Sequence, residues 1–261
     1  MKAAIATIIV VFCIVASIQS TLADSVYSKQ PMKVGIIGVA KWGIINDNPI
    51  TGIMREQSNA IFRMANIYAT HSYARYPRLV KQLERGSIDC AILTRPAKPQ
   101  ETHLMISHLY NVEIIALGRK GSAINTYQDF HNKKQIKTVG FPNGGKYLFP
   151  ELYLDLKVKK QIIPSQQQGP LMLVKGRIDS FVGMKYSLLY GIHRDKLLNK
   201  TNYPGYRVQQ LEVWLQCSKK SKLAAKNIDR LKLAAQRVES MRAFSTIIDK
   251  WMSFLFINQE I

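Results

Sequence analysis

The chain predicts an α/β fold made of two similar lobes, each with a largely parallel sheet. Three observations carry this. One unit, an amphipathic helix end, a basic residue, a glycine and a short apolar strand, occurs twice, over residues 79–89 (LVKQLERGSID) and 171–179 (LMLVKGRID). Apolar strand-like runs alternate with helical patterns at the spacing of βαβ units. Late in the chain, residues 208–217 (VQQLEVWLQC) alternate as a strand returning to the first half would. The cleft between two such lobes is a natural ligand site.

The elements follow in order. Residues 33–39 (KVGIIGV) are a continuous apolar run with two glycines, the pattern of a buried parallel strand. The next loop, to Pro49, carries Trp42 and Gly43. Thr51 and Gly52 lead into a helix over 53–65 with Met54, Ala60, Ile61 and Met64 on its apolar face. A strand is expected over 67–70. Pro77 suits the first turn of the helix that ends at Gly86. Gly86 and Gly176 stand where helices close with a left-handed residue, and glycine takes that conformation without a Cβ penalty. Strands follow over 88–93 and 178–182. The loop Thr94-Arg95-Pro96-Ala97-Lys98-Pro99 holds two prolines that forbid a helix. Residues 112–117 (VEIIAL) form another strand, and from Gly118 the chain turns more polar. A short helix over 126–130, a strand over 138–141, a helix from about Tyr147 and a strand over 157–163 are expected. Helices over 224–238 and 242–256 end the chain, with Leu231, Ala234, Ala235 and Val238 on one stripe.

Lys2, an apolar run over 3–18 and the small-residue stretch Ser20-Thr21-Leu22-Ala23 describe a secretory signal peptide, residues 1–23, cut after Ala23. Its rival is an uncleaved anchor, which the short apolar run disfavours. Phe12 before Cys13 argues against a lipoprotein site. No later segment is long and apolar enough to span a bilayer, so a soluble, periplasmic protein is expected. The roughly 240 residues that remain are ample for a real core. Cys90 and Cys217 are the cysteines left after processing. They could pair in an oxidising compartment, but two buried apolar thiols on strands is the preferred reading.

The formal charge is +20, which makes nucleic acid the reflex partner. The distribution opposes it. Basic residues are spread over the whole length, aromatic residues do not interleave with them, and export removes the chain from nucleic acid. The charge instead favours solubility, an anionic ligand or an anionic membrane surface.

The catalytic inventory is thin. The five histidines show no metal-ligand spacing, and no nucleophile elbow occurs. No enzyme, metal or cofactor is expected. Residues 140–146 (GFPNGGK) fit a phosphate-loop pattern, but Tyr147 stands where that motif needs a magnesium-binding hydroxyl. The weaker reading is a strand-to-helix turn, Asn143-Gly144-Gly145-Lys146, whose backbone amides suit a carboxylate or phosphate. Thr94 and Arg95 lie past the C-terminal end of a buried strand, where open α/β sheets place ligands. An arginine there can clasp a carboxylate. Met184, Lys185 and Tyr186 hold the equivalent place after the second glycine unit. Trp42 and Tyr76 are candidate stacking walls, with core packing as the alternative. Asp89 and Asp179, in identical context after a glycine cap, read as structural.

Signal peptide, KVGIIGV, Thr51-Gly52-Ile53, YPRLVKQLERGSIDCAIL, VEIIALGRKGS, TVGFPNGGKY, the second GRIDSFV and the return strand occur in that order. By this order and spacing, over nearly the whole mature chain, the sequence resembles the family 3 extracellular solute-binding proteins, polar amino-acid-binding subunits of ABC importers. The resemblance implies the type II periplasmic-binding-protein fold, with lobe one over 24–117 and 215–261 and lobe two over 118–214, joined by a two-strand hinge. It implies a monomer that closes over a small-molecule ligand, and an inner-membrane ABC permease or a sensory receptor as partner. It places Tyr76 as a ligand-stacking aromatic, Thr94 as a loop contact, and Gly145 and Lys146 at the helix start that receives a carboxylate. The chain departs from the family at three places. Met184 replaces the usual aspartate, Pro99 or Gln100 the usual arginine, and Ile53-Met54-Arg55 lacks the usual acidic residue. An ordinary α-amino acid therefore fits poorly, and a small polar, anionic solute is expected, with Arg95 as the substitute clasp.

Overall fold

A computed structural model describes residues 30–39, 42, 51–95, 102–122, 124–132, 134 and 136–253. The leader expected over 1–23 and the chain beyond 253 lie outside them. The first wing contains β1 (Met32–Ile37), α1 (Ile53–Met64), β2 (Ala69–Ala74), α2 (Tyr76–Arg85) and β3 (Cys90–Thr94). A long strand, β4 (His103–Gly118), leads to the second wing. That wing contains β5 (Val139–Pro142), α3 (Gly145–Leu148), α4 (Pro150–Leu154), β6 (Lys160–Ile163), α5 (Gly169–Val174), β7 (Ser180–Met184) and α6 (Lys185–Arg194). The second long strand, β8 (Tyr206–Ser218), returns, and α7 (Lys222–Lys226), α8 (Ile228–Ser240) and α9 (Ala243–Met252) follow.

The strands form one eight-stranded sheet in the order β2-β1-β3-β8-β4-β7-β5-β6. Within β2-β1-β3 and β7-β5-β6 the pairing is parallel; β8 and β4 cross between them, antiparallel to each other and each to the wing it borders. The order is palindromic about the crossing pair, so each wing repeats the other's plan.

The doubled glycine unit builds that symmetry. Gly86 and Gly176 close their helices at φ 74° and 70°. Ser87 N donates to Gln82 O and Arg177 N to Met172 O, the same closing bond twice. Asp89 Oδ2 then accepts from Lys33 N at the start of β1, at 2.6 Å. Asp179 Oδ2 accepts from Lys137 N and Thr138 N just before β5, at 3.0 and 2.9 Å. Both carboxylates thus tie a helix end to the central strand of their own wing, a structural role.

The cysteines require a correction. Cys90 and Cys217 are opposed in the β3–β8 ladder and form a disulfide with their Cα atoms 3.9 Å apart. Both are fully buried, as expected, but they are not free thiols. Their pairing is set by the register of β8, which sequence separation alone does not reveal.

Some elements shift. The second strand runs over Ala69–Ala74 instead of 67–70, because an edge strand with one exposed face needs no apolar run. β4 begins at His103, well before the expected 112. Its alternation is hidden by register breaks between Met105 and Ser107 and between His108 and Tyr110. The helix from Tyr147 is two short helices, broken at Pro150, and the helix over 224–238 is broken at Asn227.

Candidate functional site

The β2–α2 turn and the C-terminal end of β3 meet at one point. Tyr76 opens α2 and Thr94 closes β3; both are buried, and Thr94 Oγ1 donates to the Tyr76 hydroxyl at 3.2 Å. The side chain of Gln216, on β8, fixes this strand end from behind. Its Nε2 donates to Leu93 O at 3.1 Å and Thr94 O at 3.0 Å. Facing them is the glycine turn of the second wing. Gly144 has φ 94°, open only to glycine without strain, and a Cβ there would lie 3.6 Å from Pro77 Cγ and 3.8 Å from Tyr76 Cδ1. The wings therefore touch here, turn against helix start. Gly145 is buried against Phe149, while Asn143 and Lys146 are exposed.

A second group lies around Trp42. This residue is 1% exposed, its ring stacked on Tyr110 of β4 at 6.4 Å and 13°, and edge-on to Tyr186 of α6 at 6.3 Å. Tyr186 is in the second wing, so Trp42 also spans the junction. Next to Tyr186, Met184 is buried and its N–H donates to Gln166 Oε1 at 2.8 Å. Lys185 Nζ donates to Glu113 Oε2 of β4 at 2.6 Å, and that bond holds the lysine's pKa above its usual value.

Arg95, the residue after Thr94, turns its side chain onto β8. Its Nη1 donates to Glu212 Oε2 at 3.0 Å and its guanidinium lies over the Trp214 ring at 5.9 Å. Trp214 Nε1 donates to the same carboxylate oxygen at 2.9 Å, and the two donors hold the Glu212 carboxyl below the usual range. The arginine is thus laid along β8. Among the described residues no cluster of acidic, histidine or cysteine side chains has the makings of a metal site. What the described residues offer instead is hydroxyls, aromatic walls and amide donors where two wings close. Such groups can enclose and orient a small polar molecule; they do not assemble an acid–base pair.

Gln57, Tyr110, Gln166 and Gln216 were not legible as site residues. Each is a polar side chain whose partner lies 18 to 123 residues away along the chain. An amphipathic pattern marks which face is buried but not which buried polar group meets which partner.

No family model matches the chain, and no curated protein matches it. Its fold does match solved structures. A histidine kinase sensor domain with similarity to periplasmic binding proteins aligns at TM-score 0.70 and 14% identity, over 86% of this chain and 96% of that one. A mutant of ArgBP from T. maritima aligns at 0.69 and 15%, over 90% and 98%. The VFT2 domain of Bordetella pertussis BvgS aligns at 0.67 and 16%, over 89% and 96%. At these identities the likeness establishes the fold, and the chain has the two-lobed periplasmic-binding-protein architecture. Among the described residues no helix is long and apolar enough to cross a membrane.

Proposed function

We propose that the chain is an exported solute-binding protein of the family 3 type, which captures a small polar, anionic solute between its lobes. Residues 24–117 and 215–261 make lobe one and 118–214 lobe two in this reading. The leader delivers the protein to the periplasm, where it hands its ligand to an ABC importer. The observation that supports it is the meeting of Gly144 with Tyr76 and Pro77 beside Thr94. Turns from both lobes close on one point, as a hinged clamp requires. The ligand's walls are Trp42, Tyr76 and Tyr186, its polar contacts Thr94 and the Asn143–Lys146 turn, and Met184 closes the floor. Arg95 reaches it by leaving Glu212. That pair is exposed, at 58% and 44% of its side chains, so releasing it costs no more than about 1 kcal/mol.

A thermal-shift screen followed by calorimetry, with free amino acids, dicarboxylates and phosphorylated metabolites, tests the reading. An anionic compound should raise the melting temperature, and Arg95→Ala and Lys146→Ala should each weaken its binding about tenfold. Unchanged affinity in both variants rejects those residue roles; stabilisation by none of the compounds rejects solute capture.

A second reading is a sensory module. Met184 stands where the family has an aspartate and its amide is taken by Gln166, so one transport anchor is lost. A histidine kinase sensor domain also shares the fold. Permease and ATPase genes beside the coding sequence favour import; a kinase or cyclase gene favours sensing.

A further inference from the structure

Gln57 is fully buried and Trp42 nearly so, yet among the described residues Gln57 Nε2 and Trp42 Nε1 have no hydrogen-bond partner. The two side chains meet at Tyr110. Trp42 stacks on its ring, and its hydroxyl donates to Gln57 Oε1 at 2.9 Å. Burial pushes the phenol pKa up, so the hydroxyl keeps its proton and acts as a donor. Turning the amide end for end is the poorer choice. Nε2 would donate to the phenol oxygen, but the phenol proton and Oε1 would both be stranded, whereas the observed orientation strands donors only. In either orientation the three side chains carry more N–H and O–H protons than strong acceptors. What is missing is an acceptor.

Its position follows from the neighbours. Phe244 of α9 covers the Tyr110 ring at 6.0 Å, while Tyr186 of the other lobe reaches Trp42 at 6.3 Å. The stack therefore has core on one side and the lobe junction on the other. The nearest acid along α1, Glu56, is held by Lys250 Nζ at 2.9 Å and Trp251 Nε1 at 3.0 Å. Among the described residues the stack is aromatic and rich in donors, which strengthens any hydrogen bond made on it and suits an acceptor-only group. Native proteins seldom leave such groups unpaired.

We propose that Trp42 Nε1 and Gln57 Nε2 receive a carboxylate of the ligand, with Tyr110 fixing the amide. This rests on the solute-binding reading and adds a residue, Gln57, and a ligand group to it. The test uses the full chain with 15N-labelled tryptophan. Its indole signals are followed while free L-amino acids, succinate, citrate and inorganic phosphate are titrated, and Trp42→Phe assigns the Trp42 signal. A carboxylate that raises the melting temperature should move that signal. Trp42→Phe and Gln57→Glu should each weaken its Kd about tenfold or more. Gln57→Met, which removes the donors without adding charge, replaces Gln57→Glu if that variant does not fold. A probe that stabilises the protein but leaves the signal unmoved and binds the variants as tightly as wild type overturns the assignment. The donors then hold water, and the solute-binding reading stands. Binding by phosphate alone overturns the carboxylate, and stabilisation by no probe overturns both readings.

Discussion

His71 sits on the edge strand β2 with Nε2 2.9 Å from Ser58 Oγ and 3.4 Å from Arg55 Nη1. Burial first, and the Arg55 charge second, depress its pKa from 6.5 to about 4. A folded-state pKa below the unfolded one means that the neutral ring stabilises the fold. That stability is complete above pH 6.5 and is lost as pH falls from 6.5 to 4, by at most about 3 kcal/mol. Thermal melts across this window should show the loss, and His71→Gln should flatten it; an unchanged pH profile in the variant removes His71 as the cause. Single residues were legible here only when their position was set by something local. Thr94 and Met184 could be placed at their strand ends because each lies a fixed distance beyond a glycine cap. Gln57 and Tyr110 were missed because a glutamine in a helix looks the same in sequence whether it faces water or a buried phenol. Arg95 was legible as a cation at a strand end, but its engagement with Glu212 depends on where β8 lies.

Among the elements, the two glycine closures invite a direct comparison. Both have positive φ, so alanine at either should cost about 1 kcal/mol or more. The surroundings differ. A Cβ at Gly86 would lie 2.9 Å from Lys220 Cβ, whereas at Gly176 it meets only the flexible tip of Arg119, at 3.3 Å. Gly86→Ala should therefore lower the melting temperature more than Gly176→Ala; equal losses would mean that α7's leader yields freely. The β3–β8 disulfide spans 127 residues, and in the chain-entropy view such a crosslink stabilises by about 4–5 kcal/mol. Urea unfolding with and without reductant should show a drop of that order, and Cys90→Ala with Cys217→Ala should match the reduced protein. Strong local punctuation, such as Gly86, Pro77 and the 33–39 run, made these elements readable. β4 was read only over its last third because its bulges reset the alternation on which strand recognition depends.

For the molecule as a whole, the two-lobed plan was visible because a repeat in sequence became a repeat in space. The crossing pair β4–β8 was visible as two separate segments, 112–117 and 208–217, but not as a pair, since antiparallel neighbours 100 residues apart share no local signal. The contact of Gly144 with Tyr76 and Pro77 is that of a shut clamp. In small-angle X-ray scattering the ligand-free protein should be larger than this closed form, contracting to it when ligand is added; a size unaffected by ligand would mean that the hinge does not work. The interleaved sheet also sets a timetable for the nascent chain. The wing that starts at β1 lacks the second neighbour of β3 until β8 emerges, whereas the wing of β5, β6 and β7 can complete itself on a β4 already made. The first lobe to be synthesised is thus the last to be finished. Throughout that interval Cys90 waits as a thiol, and Cys13 is the only other cysteine born before Cys217. If residues 1–23 are a leader that is cut early, as the sequence suggests, the waiting thiol has no wrong partner within its own chain.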